Sequence, residues 1–180
     1  LYKDRWSKEM AYKYYDFILD HRLNIDRLYG KQKRDIEMLK HGAKRGMSEF
    51  NLFYIGRNAG VDRIRELLRE RMEALKEAGL GDMPYIYGFD EINDDYFPRL
   101  KKLFGTVHEL YPDLQTMTTG YDTSFGQNTG LREYVDIWVP LVPRYNMEEA
   151  RKLRTEGKDM WWYICVGPRH PYPNWFVESP

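Results

Sequence analysis

Short strands alternating with amphipathic helices predict an α/β fold built on a parallel sheet, and three observations point to it. Runs of β-branched and aromatic residues begin near residues 23, 50, 85, 114, 135 and 160, with helical apolar spacing between them. The glycine-rich stretch Gly56-Arg57-Asn58-Ala59-Gly60 lacks both the dinucleotide fingerprint and the Lys-Ser/Thr of a phosphate loop, which argues against a doubly wound nucleotide binder. Polar and aromatic residues gather after the strands, where (β/α)8 barrels build their sites. A whole barrel takes about 250 residues and eight units. The 180 residues are therefore expected to form one domain, residues 1–180, a (β/α)8 TIM-type barrel lacking its first and last strands.

Each element has its own signal. Ser7 is placed to cap a first helix whose apolar face is Met10, Tyr14, Phe17 and Ile18, ending near His21. Residues 23–29 alternate apolar and polar and close on Gly30, which predicts a strand. Ile36, Leu39 and Ala43 mark a second helix, stopped by Gly42 and Gly46, and residues 50–55 the next strand. A long helix follows from Val61 to Leu75, ending at Gly79, its charge run read as a solvated face. Residues 85–89 form a buried strand, after which Asp94 or Asp95 is placed to cap a helix carrying Leu100, Leu103, Phe104, Val107 and Leu110. Pro112 halts it, and residues 114–119 predict a strand. Residues 121–130 are too rich in Gly, Ser, Thr and Asn for a full helix and read as a functional loop. Residues 135–141 are a strand, Asn146 with Glu149 a capping box, and residues 159–166 the last strand.

Composition narrows the ligand. With 28 basic and 28 acidic side chains the formal charge is zero, so no field favours nucleic acid or an anionic membrane. No run of roughly 18 apolar residues is present to cross a bilayer as a helix. Aromatics make up 16% of the chain, with 15 Tyr and 5 Trp, and flat amphipathic rings near strand ends suit the faces of sugars. His21, His41, His108 and His170 lack metal-ligand spacing, and Cys165 is the single cysteine, without a His in a shared motif. Neither metal, cofactor nor cysteine chemistry is expected. The chain opens on Leu1 in what reads as the lead-in to a helix, so it is expected to be an excerpt whose activity belongs to a longer parent.

The chemistry-bearing stretch is Tyr85-Ile86-Tyr87-Gly88-Phe89-Asp90-Glu91, an apolar run ending in two adjacent carboxylates. Strand ends on a rigid scaffold are where catalytic groups are mounted. An acid beside an anion is glycosidase equipment; the plainer reading, that one of them caps the following helix, stays open on these residues alone. Trp138 and Tyr163 in later strands are candidate walls of a sugar pocket, with Asn174 and Trp175 near its rim. Core filling is an equal reading for each, because strand parity does not say which face is inward. Tyr121 and Asp122 follow a strand and are placed either to bind hydroxyls or, for Asp122 especially, to shape a turn.

Taken with Val135-Asp136-Ile137-Trp138-Val139-Pro140, Trp161-Trp162-Tyr163, Pro171-Tyr172-Pro173-Asn174 and His21-Arg22-Leu23-Asn24, that stretch resembles the catalytic domain of glycoside hydrolase family 123 along nearly the whole chain. The resemblance implies a (β/α)8 barrel and a retaining, substrate-assisted β-N-acetylgalactosaminidase acting on terminal β-linked N-acetylhexosamine of a glycan. It further implies a secreted or periplasmic bacterial setting. Glu91 would then be the general acid and base, and Asp90 would orient the 2-acetamido group and stabilise an oxazolinium-like intermediate. This accounts for the spacing: retaining enzymes with a protein nucleophile set two carboxyl groups about 5 Å apart across the bond, which neighbours at one strand end cannot easily do. Two alternatives remain: a carbohydrate-binding barrel without catalysis, or a retaining glycosidase whose nucleophile is a carboxylate of another strand, such as Asp122 or Asp136.

Overall fold

The computed structural model describes residues 6–165 of the chain. Helix α1 spans Lys8–Asp20, α2 Ile36–Lys44, β1 Phe50–Ile55, α3 Val61–Glu77, β2 Pro84–Gly88, α4 Phe97–Leu110, β3 Thr116–Thr118, β4 Ile137–Trp138, α5 Met147–Thr155 and β5 Asp159–Met160. Three helices start as the sequence predicts or nearly so. Ser7 accepts from the Met10 N–H, Asp35 from Glu37 and Met38, and Asn146 from Glu149, each meeting a donor that the first turn leaves unmatched.

The five strands are all parallel and stand in chain order, each paired with the next. Among the described residues the strand order does not reverse, so they form no switch-point crevice of the doubly wound kind, and every strand points its C-terminal end to the same side. The pleat splits the side chains into two apolar layers. On the helix side lie Phe53, Ile64, Leu68, Ile86, Leu100, Phe104, Trp138 and Leu153; on the other face lie Tyr85, Tyr87, Met117, Ile137 and Val139, with Tyr54, Trp161 and Tyr163 against them. At Gly88 the strands approach so closely that a Cβ would stand 2.8 Å from the Ile55 carbonyl oxygen and 3.0 Å from the Phe104 ring, so only glycine fits.

The α/β class with a parallel sheet is as expected, but the sheet is open and does not close into a barrel among the described residues. It also has five strands where six were predicted. Residues 23–29 form no strand; the segment runs beside β1 and is tied to it largely by side chains. The Asn51 N–H donates to both Asp26 carboxylate oxygens (2.9 and 3.0 Å), and its Nδ2 donates to the carbonyls of Arg27 (3.2 Å) and Leu28 (2.8 Å). The Tyr54 N–H reaches the Gly30 carbonyl at 3.1 Å. The outer edge of β1 is thereby covered.

Two smaller expectations also change. In α1 it is Ala11 and Leu19 that are buried, with Tyr15 and Ile18 packed against the core, while Tyr14 and Phe17 are 46% and 63% exposed. Both sets recur at helical spacing, so periodicity alone could not choose between them. Neither Asp94 nor Asp95 caps α4. They form a single 3-10 turn, Asp94–Tyr96, and Pro98 in the first turn of α4 removes one of the N–H groups that would need a partner.

Candidate active site

At the end of β2 the backbone makes two left-handed steps in three residues. Phe89 has φ 56° and Glu91 φ 47°, a conformation costing of order 1–3 kcal/mol for a side-chain-bearing residue. The surroundings enforce it. Phe89 is fully buried, edge-on to Phe104 at 5.5 Å, and its N–H donates to the Ile55 carbonyl at 3.0 Å. Thr118 Oγ1 donates to the Phe89 carbonyl (3.0 Å), Arg57 Nη2 to the Asp90 carbonyl (3.3 Å), and the Asp90 N–H to the Tyr54 hydroxyl (3.3 Å). The Glu91 N–H donates to Thr119 Oγ1 at 2.9 Å.

This kink sends the two acids to different neighbours. The Asp90 carboxylate lies between β2, the end of β3 and the segment beside β1: its Oδ1 accepts from the hydroxyls of Tyr87 and Thr119, the latter at 2.9 Å, and its Oδ2 from Tyr29 at 3.0 Å. The rings of Tyr29, Tyr54 and Tyr87 pack on one another with centroids 5.3 to 5.8 Å apart. Glu91 is exposed and turns toward the later strands, where its Oε1 accepts from the Tyr163 hydroxyl and where the Tyr121 phenol feels its charge. The Arg144 guanidinium lies 4.0 Å above the Tyr121 ring. Burial first, and then the adjoining carboxylates, push the Tyr87 and Tyr163 phenols well above their ordinary range; burial also raises Tyr29, Tyr54 and Tyr121. These phenols therefore stay protonated at neutral pH, and Tyr29, Tyr87 and Tyr163 meet the acids as donors.

The residues singled out in the sequence are distributed unevenly. Asp90, Glu91, Tyr121 and Tyr163 come together. Trp138 does not join them: it is 1% exposed on the helix side of β4, against Phe125 at 5.8 Å, because its place in the pleat is opposite to that of Ile137 and Val139. Asn174 and Trp175 lie outside the described residues. Asp122 is buried and organises its own loop, accepting from the Ser124 N–H (2.9 Å), the Ser124 hydroxyl (2.6 Å), the Gly126 N–H (3.0 Å) and the Thr129 hydroxyl (2.5 Å). Asp136 precedes β4, at the opposite end of the sheet from the acid pair, and is held there by His108 and Lys158. Neither of these two carboxylates is offered to the site.

Tyr29, Tyr54, Tyr87, Thr119, Arg57 and Arg144 are the site residues that sequence reasoning passed over. For Tyr54 and Tyr87 a signal existed, since both sit at matching depth in strands read as strands. Tyr29 had none, because its segment was read as a ladder strand. Among the described residues no three His, Cys, Asp or Glu converge so as to hold a metal, and no helix is long and apolar enough to cross a membrane.

Chemically, the arrangement couples an accessible carboxyl group, steadied by phenols, to a second one held as an acceptor by three hydroxyls. That is equipment for proton transfer beside a stabilised positive charge. A comparison with curated proteins returns no match. A family model described as "Glycoside hydrolase 123, catalytic domain" matches residues 32–180. That match takes in all five strands, both acids and every described side chain that touches them except Tyr29, so the chain belongs to the glycoside hydrolase 123 family.

Proposed function

We propose that the protein is a retaining, exo-acting β-N-acetylhexosaminidase that favours N-acetylgalactosamine and uses the substrate's own 2-acetamido oxygen as nucleophile. The observation that carries this reading is the divergence of two sequence-adjacent acids at the C-terminal end of β2, one accessible and one held by hydroxyls. In this scheme Glu91 protonates the glycosidic oxygen as the bond to the anomeric carbon breaks. The acetamido carbonyl oxygen closes on that carbon from the other face, giving an oxazolinium ion. Asp90 accepts from the amide N–H, which turns the carbonyl toward the carbon and offsets the positive charge that develops. Glu91, now a carboxylate, takes a proton from the incoming water, whose attack reopens the ring with net retention.

Placement of the other carboxylates favours this scheme over one with a protein nucleophile, because Asp122 is engaged with its own loop and Asp136 stands at the far end of the sheet. Steady-state hydrolysis of an aryl β-N-acetylgalactosaminide and of the matching plain galactoside tests the proposal. Turnover of the first and loss of at least 10³-fold with the second, on the order expected when an intramolecular nucleophile is removed, is the expected result. Equal turnover would eliminate acetamido participation. Glycan binding without hydrolysis of either would favour a lectin-like role.

A further inference from the structure

We infer that Thr119 is a positioning residue that locks the orientations of Asp90 and Glu91 to each other, an inference that rests on the roles proposed above for those acids. A hydroxyl has one proton to give and two lone pairs to accept with. Thr119 Oγ1 lies 2.9 Å from Asp90 Oδ1, a carboxylate oxygen that can only accept, and 2.9 Å from the Glu91 backbone nitrogen, which can only donate. The direction of both bonds is thereby fixed: Thr119 gives its proton to Asp90 and receives one from the Glu91 amide. The Tyr87 hydroxyl, 3.2 Å away, spends its own proton on the same Asp90 oxygen. Its oxygen is then a spectator to Thr119 rather than a competitor.

The arrangement ties side chain to backbone across the acid pair. The Glu91 amide is presented at an unfavourable φ of 47°, and any relaxation of that angle moves the Thr119 oxygen that aims Asp90 Oδ1. Oδ2 is left toward Tyr29 and the open side, where a substrate amide would have to arrive. Thr119 is only 8% exposed, so water is poorly placed to substitute for its hydroxyl. The preceding Thr118 holds the Phe89 carbonyl, so consecutive threonines at the end of β3 grip both sides of the kink in β2. Of these two threonines, it is Thr119 that touches both acids.

The test compares Thr119→Val, which keeps the shape and removes the hydroxyl, with Thr119→Ser, which keeps the hydroxyl. Kinetics on the aryl β-N-acetylgalactosaminide are read alongside thermal unfolding. The Val variant is expected to lose about 10- to 100-fold in kcat, the scale of one hydrogen bond to a charged group, with KM changed less than threefold. The Ser variant should stay within about threefold of wild type. If Val does not fold, Thr119→Ala read against Ser carries the same comparison. A second readout separates positioning from bulk stability: in an Asp90→Asn background, further loss of the Thr119 hydroxyl should change binding of a thiazoline analogue of the oxazolinium ion by less than threefold. The inference is overturned if folded Val retains wild-type kcat, if Ser is as impaired as Val, or if the losses with Asp90→Asn simply multiply. Wild-type protein inactive on the acetamido substrate would sink the proposed function, and this inference with it; a normal wild type with an indifferent Thr119 would sink this inference alone.

Discussion

Glu91 is the side chain on which turnover depends most directly. Replacing it with Gln keeps its size and removes the transferable proton, so kcat on an aryl β-N-acetylgalactosaminide is expected to fall by about 10² to 10⁴-fold. The loss should be smaller for aryl leaving groups of low pKa, which need little protonation; a uniform loss would count against the acid role. Gly88 offers a different single-residue test. A methyl group there would press on the Ile55 carbonyl and the Phe104 ring at 2.8 and 3.0 Å, so Gly88→Ala should cost about 1–3 kcal/mol in urea unfolding and displace the kink that follows. At this scale the sequence was most informative for the acids: an apolar run ending in Asp90-Glu91 can be read without coordinates. Thr119 was invisible, because a threonine at a strand end carries no mark of which neighbour its hydroxyl will meet. Trp138 misled for a related reason, since inward and outward faces of a buried parallel strand are equally apolar.

Among elements, the segment beside β1 shows why alternation is an incomplete signal. Residues 23–29 have the period of a strand, yet Asp26 and Asn51 supply side-chain hydrogen bonds where a ladder would have supplied backbone ones. Asn51 is fully buried and also accepts from the Tyr87 N–H at 2.9 Å, so one amide side chain joins this segment, β1 and β2. Asn51→Leu should leave those groups unpaired and cost about 2–4 kcal/mol, with faster hydrogen exchange at Tyr87 and Tyr54 as its local signature. The start of β4 makes a second element-level prediction. Burial works against the Asp136 anion, but the hydrogen bonds from His108 and the Thr116 N–H and the charge of Lys158 outweigh it, holding this carboxyl well below its usual range. A folded value below the unfolded one, about 3.9, means that its stabilisation is complete above that pH and drains away as the pH falls further. Asp136→Asn should therefore destabilise by about 2 kcal/mol at pH 7 and by progressively less below pH ~4. A pH-independent penalty in chemical denaturation would contradict the assignment.

For the molecule as a whole, the strands shorten along the sheet, from six residues in β1 and five in β2 to three, two and two in β3, β4 and β5. Native-state hydrogen exchange should follow that gradient, slowest in β1 and β2 and fastest in β5; uniform protection would show that the short strands are held by something other than the sheet. The α/β rhythm that revealed this architecture is legible because each helix between strands has a clean apolar stripe. Closure is not legible, because it is a property of where the last edge meets the first. Strand order carries one further implication. Since neighbours along the chain are neighbours along the sheet, the contacts of Asp90 outside its own strand come from residues 29–57 and from the shared Thr119, whereas those of Glu91 come from residues 119–163. In the proposed reaction the first group governs the sugar and the second the departing half. Chimeras between homologues, crossed over inside α4, should then inherit their choice of monosaccharide from one parent and their choice of aglycone from the other.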